Sequence, residues 1–156
     1  MNKERVSPAL GKIASGLYIT TALDNDSPVG MLCSFVEQAG FEPPTISIAL
    51  GRDRPLKALL ESGTTFGLNI LCKDNGALVK SFSRFDGSDP FAGHILVENE
   101  FGVPQFADAW AFLACKPLGS MAAGDHVLFI AEVLDGIRQR EKQEPMIRIR
   151  QNGFSY

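Results

Sequence analysis

The sequence lacks any apolar run of about 18 residues, the length that a membrane-crossing helix needs. Histidine is scarce. His94 and His126 are the two present, too few for a three-histidine metal site. Cys33, Cys72 and Cys115 stand at wide, unequal spacings with no C-x-x-C pair. That excludes the usual zinc and iron–sulfur patterns and a disulfide framework, and it fits a reducing compartment. There is no basic excess: Lys and Arg number 15 against 18 Asp and Glu, for a net charge of −3 and a pI near 5.4. A general nucleic-acid binder would carry a basic face. The G-x-S-x-G elbow, H-E-x-x-H and the phosphate-binding G-x-x-x-x-G-K-[ST] loop are all missing, as is a G-x-G-x-x-G turn opening a helix after a strand. With so few acid–base and metal-ligating groups, an enzyme built on this chain would leave the reaction to a cofactor. The N-terminal Met1 to Arg5 is charged and no signal-type apolar stretch follows it, so the expected location is the cytoplasm.

What is present describes one globular domain, expected over residues 1–156. Hydrophobic residues make up 45% and charged residues 21%, ordinary values for a folded soluble chain. A domain of this length buries about two-thirds of its unfolded surface, enough for a core without staples. Gly (15) and Pro (9) are slightly abundant and favour many turns over long helices.

Ser7-Pro8 reads as the cap and first residue of a short helix. Leu17 to Leu23 is rich in β-branched and aromatic residues, hence a strand. Asp24 to Pro28 is a turn cluster, and Val29 to Val36 the return strand. Thr45 to Leu50 alternates with period two, as a half-buried strand does. Arg54-Pro55 leads into a helix with Leu56, Leu59 and Leu60 on one face, for which Asp53 is a candidate cap. Thr64 to Leu71 is a strand, and Asp74-Asn75 begins a second helix through Leu78, Val79 and Phe82. Arg84 to Phe106 is an irregular Gly/Asp/Pro-rich stretch of a length often tied to function. Strands are expected over Trp110–Leu118, Asp125–Gly136 and Pro145–Arg150, with Gly119 to Gly124 as a flexible connection. Strands dominate without βαβ alternation, so the expected class is mainly β: an antiparallel barrel with peripheral helices.

Four places carry candidate chemistry. Gly30 to Phe35 runs from strand into a small, polar loop through Gly40, where backbone N–H groups can approach a planar ring or an anion; a plain hairpin strand leaving the barrel would look the same. Gly51-Arg52-Asp53-Arg54 puts two arginines at a helix start, suited to a phosphate or simply to a solvated turn. Lys80 to Phe85 sets cations beside hydroxyls and rings, which is also an ordinary helix end. Gly124-Asp125-His126 opens a strand with a histidine at the barrel mouth, with or without a role.

Together these segments resemble the flavin reductase family with the FMN-binding split-barrel fold, over nearly the whole chain. Gly30-Met31-Leu32-Cys33-Ser34-Phe35 with Phe41-Glu42-Pro43-Pro44 is the most specific match. Ser15 to Thr21, Leu68-Asn69-Ile70-Leu71, Gly124-Asp125-His126 and the ending Asn152 to Tyr156 are similar to further family segments. Stand-alone flavoproteins and the C-terminal flavin reductase domains of cyanobacterial flavodiiron proteins are especially similar. The resemblance implies an antiparallel, Greek-key-like split barrel that binds FMN, or FAD, at a homodimer rim. Met31, Leu32, Cys33, Ser34 and Phe35 would line the isoalloxazine and ribityl chain, with Gln38, Ala39 and Gly40 over the ring edge. Arg52, Asp53 and Arg54, with Lys80, Phe82 and Phe85, would supply phosphate and chain contacts. His126 would face the nicotinamide side as the catalytic residue. The implied reaction passes hydride from NAD(P)H to flavin N5 and electrons onward to an acceptor such as a monooxygenase component. The alternatives are an electron-carrying flavoprotein without reductase activity, a non-redox anion-binding barrel, and a related split barrel of the pyridoxamine phosphate oxidase type, against which Glu42-Pro43-Pro44 and the Gly124-Asp125-His126 turn favour the flavin reductase branch. Ala39-Gly40 stands where many relatives place Ser or Thr, and Ala131 where they often have Gly.

Overall fold

The computed structural model describes residues 1–84 and 86–155. Its centre is a seven-stranded sheet built on tight turns. β2 (Tyr18–Asp24) and β3 (Ser27–Cys33) form a hairpin whose two turn residues, Asn25 and Asp26, both have positive φ, at 47° and 65°. That is the backbone of a type I′ turn, which Asn and Asp tolerate better than bulkier residues. β4 (Val36–Phe41) and β5 (Pro44–Gly51) make a second hairpin. β6 (Phe66–Ile70) pairs with both β2 and β9 (Ala111–Ala123), and β9 turns tightly into β10 (His126–Arg138). Gly124 stands first in that turn with φ +63°, the place that type II′ hairpins reserve for glycine.

The strand order is β3-β2-β6-β9-β10-β5-β4, antiparallel throughout, with Greek-key-like crossovers at β2–β6 and β10–β5. All seven strands send residues into one core, among them Ala22, Cys33, Val36, Ile48, Phe66, Cys115 and Phe129. The sheet therefore curls around a single interior, and its two edges, β3 and β4, are joined by Ser34-Phe35 without pairing to one another. That seam is the split in the barrel. α2 (Pro55–Glu61) closes one end with Leu56 and Leu60. Outside the barrel, α3 (Gly76–Phe82) and the following loop pack Leu78, Phe82, Phe91 and Phe106 against Ile19 and Leu71. Two short pairs complete the sheets: β1 (Ser15–Gly16) with β11 (Ile147–Arg148), and β7 (Leu96–Val97) with β8 (Gln105–Phe106).

Five sequence expectations change. α1 spans Lys3–Leu10, with Pro8 inside it, because Asn2 caps it by accepting the Arg5 N–H at 3.2 Å; the Ser7 hydroxyl accepts the Gly153 N–H instead. The return strand from Val29 stops at Cys33, because Ser34-Phe35 must cross the seam before β4 begins. The cap of α2 is Arg54, which makes no side-chain cap bond, and Asp53 Oδ1 lies 4.0 Å from Arg54 Nε. Lys73–Asn75 forms a 3-10 turn before α3 starts at Gly76. Gly119 to Ala123 is strand rather than connection: Gly119 pairs with Ile130 and Ala123 with His126. The β-rich run of β10 supplies the ladder there, and backbone pairing asks nothing of the small side chains on β9.

Candidate active site

A cavity of about 420 Å³ lies along β3 beside the seam. Its β3 wall is Gly30, Met31, Leu32 and Cys33, and Ser34 continues it. Side chains alternate across a strand, so this wall is not uniform. Met31 and Cys33 pack into the barrel core, and Leu32 into the outer cluster. The Cys33 thiol lies 3.0 Å from the Thr20 hydroxyl, and burial pushes its pKa up to about 12, so it stays protonated. Gly30 is small for packing: an added Cβ would lie 2.9 Å from Phe82 Cε1 and 3.0 Å from Phe91 Cζ. Phe82 is itself a wall of the cavity, held edge-on against Phe91 and Phe106 at 5.2 and 5.5 Å between ring centroids.

The opposite rim is polar and cationic, formed by Arg54 at the entry of α2, and by Ser81, Ser83, Arg84 and Ser88 around the end of α3. His94 Nε2 is 2.9 Å from the Ser81 hydroxyl. Ser88 donates its backbone N–H and its hydroxyl to Asp86, holding that carboxyl below its ordinary range. Leu17 and Arg148 complete the lining. Ser34 is 4% exposed, and its hydroxyl has no hydrogen-bond partner among the described residues. A buried hydroxyl left unpaired costs on the order of 1–3 kcal/mol.

The structure thus brings Met31, Leu32, Cys33, Ser34, Arg54 and Phe82 to one cavity. Phe35 is next to it in the chain. Its ring carries the Arg150 guanidinium 4.9 Å above and meets the His126 ring at 5.6 Å. His126 opens β10, pairs with Gly51, and holds Asp125 through a 2.8 Å contact from Nδ1. That partner keeps the Asp125 carboxyl below its ordinary range. His126, Arg52, Asp53, Gln38, Ala39, Gly40 and Lys80 do not line the cavity. Arg52 donates its N–H to the Asp125 carbonyl at 3.2 Å, which ties the two turns together, while its side chain stays exposed. Gln38 and Ala39 are exposed on β4, where the register shifts between Gln38 and Gly40. Lys80 is exposed on α3. Phe85 lies outside the described residues. Sequence reasoning missed Leu17, Ser88 and Arg148. The one legible signal was Arg148 and Arg150 alternating with Ile147 and Ile149.

Among the described residues, no group of three His, Cys, Asp or Glu is placed to hold a metal ion, and no helix is long and apolar enough to cross a membrane.

Comparison with known proteins agrees with this architecture. The family model of the flavin reductase like domain matches residues 10–154. Diflavin flavoprotein A 1 of Synechocystis sp. is 39% identical over 131 residues, 82% of this chain and 23% of that protein. The chain spans about a quarter of the length of the curated relatives it matches. Among solved structures, a Mycobacterium thermoresistibile homologue of nitrilotriacetate monooxygenase component B has a TM-score of 0.84 at 24% identity, over 92% of this chain and 80% of that one, and shares the fold. The Streptomyces globisporus NADH:FAD oxidoreductase SgcE6, solved with NAD and FAD fragments, has a TM-score of 0.81 at 25% identity, over 90% of this chain and 84% of that one. From the matched model, the relatives and the split barrel itself, the chain belongs to the flavin reductase-like domain family, a family of oxidoreductases.

Proposed function

We propose that this chain is an NAD(P)H:flavin oxidoreductase domain that holds FMN, or FAD, in the cavity along β3. The observation that carries this reading is Ser34, a buried hydroxyl with no partner in a cavity whose other rim is cationic. A flavin fits that donor set. Its ring has hydrogen-bonding edges for Ser34, its flat faces suit Leu17, Leu32 and Phe82, and its phosphate suits Arg54 and Arg84 with Ser81 and Ser83. When bound, flavin supplies acceptance of a hydride from NAD(P)H and its onward delivery as electrons.

The chain's own residues then bind, orient and exclude water. Phe82, fixed by Phe91 and Phe106, sets the wall against which a ring rests. Arg54 and Arg84 hold an anion at one end, and the Ser34 hydroxyl fixes the in-plane orientation. Cys33 contributes no nucleophile, since burial keeps it a thiol. His126, tilted against the Phe35 ring and held by Asp125, would bound the face open to the reductant. Positioning two flat rings removes translational and rotational freedom, which supplies much of the acceleration such a transfer needs.

The reading extends to a homodimer in the cytoplasm that hands electrons to a separate acceptor. The β9–β10 hairpin exposes Leu118 and Met121, apolar area that a second copy would cover. The test is titration of the purified protein with FMN, followed by anaerobic addition of NADH and of NADPH. Uptake of FMN with rapid bleaching is expected. Uptake with no bleaching favours an electron carrier, and no uptake of flavin defeats the proposal.

A further inference from the structure

The last segment of the chain is inverted for a surface strand. Ile147 and Ile149 are 61% and 60% exposed, while Arg148 and Arg150 turn inward and are half-buried. Pairing of Ser15 with Arg148 fixes this orientation. Arg148 lines the flavin cavity and also a second cavity of about 490 Å³, which shares Leu17 with the first and is lined further by Ile147, Ile149, Arg150, Asn152 and Ser155. Among the described residues, no carboxylate lies within ion-pair distance of either arginine. Arg150 instead rests on the Phe35 ring. Half-burying a guanidinium without an anion is costly.

The serine-bearing end of α3 and Arg148 stand at different ends of the flavin cavity. Phe82, with Ser81 and Ser83 beside it, sits over Gly30, and the small cavity next to that end shares Gly30, Met31, Pro55 and Pro90 with the first. Tyr18 pairs with Cys33, so Leu17 and Arg148 belong to the Ser34 end. Gly30 and Ser34 are about 13 Å apart along extended chain. A phosphate held beside Ser81 and Ser83 at the Gly30 end therefore leaves Arg148 and Arg150 to another anion.

We infer that Arg148 and Arg150 form a second anion subsite, which takes a phosphate of the dinucleotide reductant. The inference rests on the oxidoreductase reading above. Both side chains offer the planar fork that matches phosphate oxygens, and the shared wall at Leu17 and Arg148 joins this subsite to the flavin cavity.

The test is calorimetric titration of FMN-loaded protein with 2′,5′-ADP and with ADP, in the natural chain and in Arg148→Gln, Arg150→Gln and Arg150→Lys. Nucleotide affinity should fall tenfold or more in each Gln variant and fall less in Arg150→Lys, which keeps the charge without the fork. FMN affinity of Arg150→Gln, read by fluorescence quenching, should stay within threefold. Loss confined to 2′,5′-ADP assigns the pair to the 2′-phosphate and predicts preference for NADPH; loss of both nucleotides assigns it to the 5′-phosphate that they share. Unchanged nucleotide affinity in both Gln variants overturns the inference, as does a natural chain that binds neither nucleotide. A chain that takes up no FMN sinks the flavin reading instead, and the same titrations on the flavin-free protein still decide whether the arginine pair binds phosphate. Thermal unfolding of each variant checks that the fold is kept.

Discussion

Asn69 Oδ1 accepts the backbone N–H of Phe106 at 2.9 Å, joining the buried part of β6 to the end of the long loop. The same side chain donates to the Ile19 carbonyl and to the Thr21 hydroxyl, both at 3.2 Å, and to the Pro104 carbonyl at 3.4 Å. Thr21 closes the group by donating to the Pro104 carbonyl at 2.6 Å. This network holds the ring of Phe106 against Phe82 and Phe91, and so supports the outer wall of the cavity.

Asn69→Leu should therefore destabilise the protein by about 3 kcal/mol, since it leaves several buried backbone groups unpaired. Urea unfolding measures the loss. Asn69→Asp, which keeps the acceptor for Phe106, should cost at least as much, because it buries a charge without a cation. Retention of full stability in both variants would show that the loop is held elsewhere.

Ser34→Ala separates folding from binding. In the flavin-free protein it removes an unsatisfied buried hydroxyl, so stability should hold or rise by roughly 1 kcal/mol. FMN affinity should drop about tenfold, equivalent to ~1.4 kcal/mol. Thermal unfolding and fluorescence titration read the two effects, and a parallel loss of both would contradict the role given to Ser34.

Gly30→Ala tests why that glycine is there. Its Cβ would press on Phe82 Cε1, Phe91 Cζ and, at 3.3 Å, the Thr20 carbonyl. Overpacking of this kind costs about 1–3 kcal/mol. The expected result is a Tm lower by several degrees, with weaker flavin binding as Phe82 shifts. An unchanged Tm would mean that the aromatic group adapts freely.

Thiol ionisation sets an alkaline limit. Burial pushes both Cys33 and Cys115 from an ordinary 9.0 up to about 12. Unfolded thiols lose protons above pH 9 while folded ones keep them, so their contribution is constant below pH 9 and is lost as pH rises from 9 towards 12. Urea unfolding at pH 8 and pH 10.5 should show that decline, lessened in Cys115→Ala. Native protein at pH 8 should also be slow towards disulfide reagents and fast once unfolded.

Much of the local structure was legible because its causes are local. Asn25-Asp26 and Gly124-Asp125 mark hairpins through the backbone angles they tolerate, and the alternation of Thr45 to Leu50 marks a half-buried strand. The short segment from Gly30 to Pro44 carried the family resemblance. Boundaries set by partners were not legible. Gly119 to Ala123 is strand only because β10 lies beside it, and α1 begins at Lys3 because Asn2, upstream of Ser7, caps it.

The site divides in the same way. Arg54 and Ser34 could be nominated from the sequence because a helix start and a strand end are visible there. That Arg52, Asp53 and Lys80 face solvent, whereas Ser88 and Arg148 reach the cavity, depends on how distant segments pack. Arg148 enters only through the pairing of the chain's last strand with Ser15, more than a hundred residues away. Turn residues and β-branched runs marked a turn-rich β domain without reference to any distant contact. Which cations surround the cavity follows from tertiary packing: Arg148 reaches it because a side chain's direction follows from the register of its strand, and register is settled by the partner strand.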